Sequence, residues 1–169
     1  MLTATFAGVP SLLSGTVVDD NQLVREILDG LKGETVSIHD SWPALHFTLT
    51  GELPIPREEA LSRGIDFPND PLEAILMGGV PTGVHTEFGP ARFISAGEVR
   101  QGAEMLTSVS DHDFEDWFDA DDLEDERIPP AGWASDAGRL PRLTEALRTV
   151  RTFYVQAARE GSGILIAFE

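Results

Sequence analysis

The 169-residue sequence contains no cysteine. That excludes a disulfide framework, a thiolate zinc site and a cysteine nucleophile, and it makes a reducing compartment, the cytoplasm, the expected location. Bases are scarce as well. Twelve lysines and arginines against 29 acids leave a net charge of −17, which repels phosphate backbones and anionic lipid, so neither nucleic acid nor a membrane is an expected partner. Long apolar runs are missing too. The one long uncharged stretch, Met1 to Val18, is interrupted by Gly8, Pro10 and Gly15 and has no base ahead of it, so it reads as neither a signal peptide nor a membrane span. HExxH, GxGxxG and GxxxxGK[ST] do not occur, and no metal or cofactor is expected.

What is present suits one globular domain over residues 1–169. With 41% apolar residues, a chain of this length buries about two-thirds of its unfolded surface. No internal repeat or linker divides it. Leu2 to Ala7 read as a short strand, and Asp20 as the cap of a helix carrying Leu23, Val24, Ile27, Leu28 and Leu31 up to Gly33. Thr35 to His39 alternate with the period of a half-buried strand, which points His39 away from the core.

The stretch IHDSWPALHFTLTG, residues 38–51, then concentrates chemically useful side chains. Asp40 or Ser41 can cap a helix with Pro43 in its first turn and Gly51 at its stop. Trp42, Leu45, His46 and Leu49 follow the i, i+3, i+4, i+7 rule and form one apolar stripe, with His46 on it. His39, Asp40 and Ser41 are adjacent in sequence and point in different directions, which counts against a catalytic triad.

A Pro-rich connection spans Glu52 to Asn69. Asp70-Pro71 opens a helix through Leu72, Ile75 and Leu76, ended by Gly78-Gly79. Gly78 to Pro90 holds four glycines and two prolines and reads as a loop with His85 inside it. Ala91 to Ile94 reads as a strand. Ser95 with Glu98 forms a capping box for a helix bearing Val99, Ala103 and Leu106. Ser110 with Asp113 caps another, bearing Phe114, Trp117 and Phe118. The final helix is the clearest: Leu140, Leu143, Leu147, Val150, Tyr154 and Ala157 repeat at three and four before Gly161, and Ile164 to Phe168 is a buried strand. Terminal strands with helices between them, and no regular βαβ alternation, predict an α+β domain: a small mixed or antiparallel sheet covered by helices.

These residues resemble the YfbM-like family of small bacterial proteins, a domain of unknown function. Trp42, Leu45, His46, Leu49, Thr50 and Gly51 fit its WxxLHxxLTG pattern. Gly89, Pro90, Ala91 and Arg92, with Glu98 and Val99, are similar to its GPARY strand and following helix. Tyr154 with Ala157 and Ala158 resembles its last helix. The likeness runs from about Ser37 to Phe168, and departs where Pro129-Pro130 stands for the family's tyrosine-proline ahead of Trp133. It implies an α+β fold and assigns no activity.

The best candidates for a small polar site are Trp42, His46, His85 and Arg92: a histidine on a helix stripe, a histidine among glycines, where binding groups concentrate, and a cation. Two readings follow. One is a non-enzymatic binding or protein-interaction module; the alternative is a small hydrolase using His46 and His85 in a crevice near Arg92. Trp42, Trp117 and Trp133 read as core anchors before pocket walls. The block from Asp111 to Glu126 holds ten acids and no lysine or arginine. It lacks the glycine and terminal glutamate of a calcium loop in register. It reads as a solvated face, answered in part by Arg142, Arg148, Arg151 and Arg159, or as a docking surface for a basic protein.

Overall fold

The computed structural model describes residues 2–55, 57–64 and 71–169, and their side chains except those of Arg57, Glu58 and Leu61. Five strands form one sheet: β1 (Ala4–Val9), β2 (Thr35–Ile38), β3 (Val80–Thr86), β4 (Gly89–Ile94) and β5 (Gly163–Phe168). Their order is β2-β1-β5-β4-β3, and every pairing is antiparallel. The two strands nearest the chain ends therefore lie side by side at the middle. The helices are α1 (Asn21–Leu28), α2 (Trp42–Thr50), α3 (Arg57–Ser62), α4 (Pro71–Met77), α5 (Ala96–Ser108), α6 (Asp111–Trp117), α7 (Ala120–Asp125) and α8 (Arg139–Glu160). The class is α+β, as the sequence predicts.

Helices cover both faces of the sheet. Phe6, Ile94, Ile164, Ile166 and Phe168 turn to one face, against the apolar stripes of α2, α4, α5 and α8. Ala7, Val9, Ala91, Phe93, Leu165 and Ala167 turn to the other, against Val24 and Ile27 of α1. This explains why β5 is apolar at every position rather than alternating: all its residues are buried, as in a strand covered on both sides.

Several element ends have visible causes. Ser95 and Ser110 each make a full capping box, with Glu98 and Asp113. Gly51 and Gly161 stop α2 and α8 in the left-handed region, at φ 72° and 66°. Ser41, not Asp40, precedes α2, and its side chain makes no cap bond. Helix α1 ends at Leu28, short of the predicted Leu31. Gly30 takes a left-handed φ of 76°, Leu31 N–H folds back to the Glu26 carbonyl at 2.9 Å, and Leu31 is left 70% exposed. The predicted cap Asp70 lies outside the described residues.

The largest correction falls on residues 78–90. They are not a loop but the strand β3, a two-residue turn at Glu87-Phe88, and the start of β4, with Thr86 paired to Gly89. The glycines and prolines that suggest a loop have other causes here. Pro81 is tolerated because β3 is an edge strand. Gly83 lies under Asn21, where an added Cβ would come within 2.6 Å of the Asn21 side-chain oxygen. The strand's true signal is the buried alternation of Thr82 and Val84.

Candidate functional site

Helix α2 positions Trp42 and His46 on one face, one turn apart. The Trp42 indole is fully buried, edge-on to Phe6 at 5.3 Å between ring centroids, 5.9 Å from Phe168 and 6.0 Å from His46. The burial of α2 is wider than a stripe: Pro43 and Ala44 are buried along with Trp42, Leu45, His46 and Leu49. His46 is fully buried too. Its Nδ1 lies 3.2 Å from the Glu52 carbonyl and 3.4 Å from Thr50 Oγ1. A carbonyl only accepts, so Nδ1 carries a proton. Thr50 completes the local mesh: its hydroxyl donates to the His46 carbonyl at 2.8 Å and accepts from Glu52 N–H at 3.1 Å. The histidine and threonine of the WxxLHxxLTG pattern thus tie the end of α2 to the chain that follows it.

Arg92 is buried on β4, opposite Ile166 of β5 and Pro81 of β3. Its Nη1 donates to the Gly79 carbonyl at 2.9 Å, which clamps the crossing from α4 into β3. His85 sits exposed on β3, opposite Pro90. The structure therefore brings Trp42 and His46 together, holds Arg92 inside the fold, and leaves His85 at the surface. His39 is exposed, as expected, with its Nδ1 3.3 Å from Thr3 Oγ1.

A buried hydroxyl escaped the sequence reading. Tyr154 of α8 donates to the Ile75 carbonyl at 2.6 Å, and burial pushes its phenol well above the usual tyrosine range. Nothing in the helical spacing marks it as more than a core residue.

The acidic block folds as α6 and α7. Asp111 accepts from Arg148 Nε at 2.8 Å and Arg151 Nη1 at 3.0 Å. The bond to Arg148, then that to Arg151, holds its carboxyl below the ordinary aspartate range. The Ser110 hydroxyl and backbone lower Asp113 in the same direction. Asp119 caps α7 by accepting from the N–H groups of Asp121 and Asp122. Glu124 accepts from Ala134 N–H at 3.0 Å. Asp116, Asp121, Asp122, Asp125 and Glu126 are exposed.

The three tryptophans separate. Trp42 and Trp133 are core, the latter donating to the Ile128 carbonyl at 2.8 Å under the Arg139 guanidinium, 5.0 Å from its ring. Trp117 is not: half of it, 50%, is exposed, correcting the expectation of a core anchor. Among the described residues no cluster of three or more His, Asp or Glu is placed to hold a metal ion, and no helix is long and apolar enough to cross a membrane. Among those residues, cavities with room for a small ligand, of about 570, 460 and 330 Å³, lie between α5 and α8, beside β2 and α8, and against Ile128 and Pro129.

A five-stranded antiparallel sheet with helices on both faces defines this as a small α+β protein. The chain belongs to the family described as a domain of unknown function, DUF1877, whose family profile matches residues 14–167. It is similar to a solved structure, that of a protein of unknown function, YfbM from Escherichia coli, with 19% identity, 98% of each chain covered and a TM-score of 0.69. At that identity the likeness shows the fold. No curated protein matches the chain.

Proposed function

We propose that this is a non-enzymatic protein-interaction module of the cytoplasm, a single domain over residues 1–169, which docks a basic protein through the segment Asp111 to Glu126. The observation that carries the reading is Trp117. It is a large aromatic, 50% exposed, on a short helix whose neighbouring acids Asp116, Asp121, Asp122 and Asp125 are also exposed. Exposed tryptophan is unusual on a free surface and enriched at the centres of interfaces, while a ring of one charge steers and orients the partner. Among the described residues, Asp111 is the one acid of the block bonded to arginine. The remainder of the negative charge faces outward.

A hydrolase using His46 and His85 near Arg92 has less support, because His46 is buried with its Nδ1 at a backbone carbonyl. For that reading the crevice would have to reach inside the fold.

The test avoids acids with structural duties. Asp116, Asp121, Asp122 and Asp125 are changed to asparagine in one variant and Trp117 to alanine in another, leaving the cap Asp119 and the tether Glu124 intact. Partner capture from native lysate is followed by reconstitution with the purified partner and a salt titration. A basic partner whose affinity falls with salt and drops in both variants supports the reading. Equal affinity in wild type and variants overturns it.

A further inference from the structure

The two edges of the sheet are built differently. On β3, Pro81 removes a donor, the register slips between Pro81 and His85, and Gly83 is overlaid by Asn21, all devices that blunt an edge against further strands. β2, the opposite edge, has none of them: its residues are Thr35, Val36, Ser37 and Ile38.

Which backbone groups β2 leaves open follows from the ladder. In an antiparallel pair, bonded and non-bonded residue pairs alternate. Gly8 N–H donates to the Glu34 carbonyl at 2.9 Å, in the same register as Phe6 with Val36 and Ala4 with Ile38. Those are the bonded pairs, so Thr35 and Ser37 turn their N–H and C=O groups away from β1. The far side of β1 agrees. Thr3 exchanges both bonds with Glu169, at 2.6 and 2.9 Å, so the odd residues of β1 serve β5 and the even ones serve β2.

The outward set is self-complementary. We propose that β2 docks against β2 of a second copy, about a two-fold axis, with Thr35 of each copy exchanging both backbone hydrogen bonds with Ser37 of the other. In that register Val36 faces its own counterpart, on the same side of the sheet in both copies, as a continuous sheet requires. Val36 is only partly buried and packs on the main core, so pairing completes its burial. A groove of about 460 Å³ between β2 and α8, lined by Thr35, Val36, Thr149, Thr152 and Phe153 among others, lies along this edge and is covered by the second copy. Each copy carries −17, and although residues 35–38 carry no charge, the groove beside them holds Glu34 and Glu145 with one cation, Arg148, so acids near the junction add to the repulsion between the copies. Two copies make one ten-stranded antiparallel sheet.

The charge gives the contact an unusual signature. Repulsion between the two acidic bodies acts over about one Debye length, roughly 8 Å at physiological salt, whereas the strand pairing is short-range. Added salt therefore strengthens self-association, the opposite of its effect on docking of a basic partner at α6 and α7. The two contacts fail independently.

The test is sedimentation equilibrium of the full chain across the micromolar to sub-millimolar range at low and high salt, with amide hydrogen exchange on the same samples. The wild type is expected to dimerise with concentration and with salt, and the Thr35 and Ser37 amides to become protected as it does. Ser37→Pro removes an outward donor that the β1 ladder does not use. It should weaken dimerisation at least about tenfold, while the urea midpoint of the monomer falls only by the loss of the exposed hydroxyl bond between Ser37 and Thr5, 3.0 Å. If that variant does not fold, the wild-type amides decide. A monomer at every concentration and salt, a dimer in which both amides still exchange freely, or a folded Ser37→Pro variant that dimerises as well as the wild type would each overturn the proposal.

Discussion

Arg151 of α8 joins the end of α5 to Asp111: Nη1 lies 3.0 Å from the Asp111 carboxylate, while Nε and Nη2 donate to the carbonyls of Leu106 and Val109 at 3.1 and 2.7 Å. The guanidinium satisfies the end of α5, where helix carbonyls lack partners, and holds the first acid of the block against α8. Arg151→Met is expected to lose about 2 kcal/mol, because a charged donor leaves partly buried carbonyls unmatched. Thermal unfolding should show a fall of roughly 4–8 °C for a chain of this size. An unchanged midpoint would mean water replaces the guanidinium without cost.

The same pairing sets an acid dependence. The folded-state pKa of Asp111 is depressed, first by Arg148 and then by Arg151. Its contribution is therefore complete above the unfolded value, about 3.9, and is lost as pH falls through the lower folded value. Solvent screening of a partly exposed pair limits the effect to about 0.5 kcal/mol. Urea unfolding between neutral pH and pH 3 should show a shallower acid limb in Asp111→Asn than in wild type. Parallel limbs would refute the assignment.

Trp42→Ala should destabilise by about 3–5 kcal/mol, since it removes a buried aromatic and leaves a cavity between α2 and the sheet. Calorimetry reads this directly. A variant melting with the wild type would show an indole free of the core and would make it available for stacking a ligand.

Two positions share a left-handed backbone and should answer in opposite directions. Gly51 sits at φ 72°, with no atom within 4 Å of an added Cβ, so Gly51→Ala costs only conformational strain, about 1 kcal/mol. Arg127 holds φ 56° just beyond α7, where Ile128 N–H reaches back to the Leu123 carbonyl at 2.9 Å and glycine is the usual residue. Arg127→Gly should stabilise by a few tenths of a kcal/mol, the strain relieved less the flexibility gained by the unfolded chain. Chemical denaturation midpoints moving the same way in both variants would contradict the backbone argument.

His46 should keep its Nδ1 proton long enough to be seen in proton–nitrogen spectra, because the ring is buried and bonded to the Glu52 carbonyl. His39, His85 and His112 are exposed, and their ring protons should exchange away. A His46 proton that vanishes with theirs would place the ring in solvent and reopen an accessible site there.

Legibility followed the kind of signal each segment carries. α8 could be read because Leu143, Leu147, Val150, Tyr154 and Ala157 repeat along one buried face before Gly161. The capping boxes at Ser95 and Ser110 are local bonds between residues three apart, so spacing alone reveals them. β3 was hidden because Pro81 and Gly83 answer to its place at the sheet edge and to Asn21, facts absent from its own neighbourhood in sequence. Trp117 departs from the sequence expectation for the converse reason: helical spacing puts it near Phe114, but α6 has only 7 residues and too little face to bury both. For the site, spacing placed His46 on its face correctly, whereas the burial of Arg92 depends on which strand lies beside β4.

The middle of the sheet has a consequence for biosynthesis. β1 and β2 form one half, β3 and β4 the other, and β5 is the strand that bonds to both. Of all these elements it is the last to be translated. Until it leaves the ribosome the halves have no backbone link across the sheet, and Phe6 and Phe93 lack their β5 partners Ile166 and Leu165. Closure then joins strands from Ala4 to Phe168, a slow, long-range step, so the nascent sheet depends on its environment until β5 arrives.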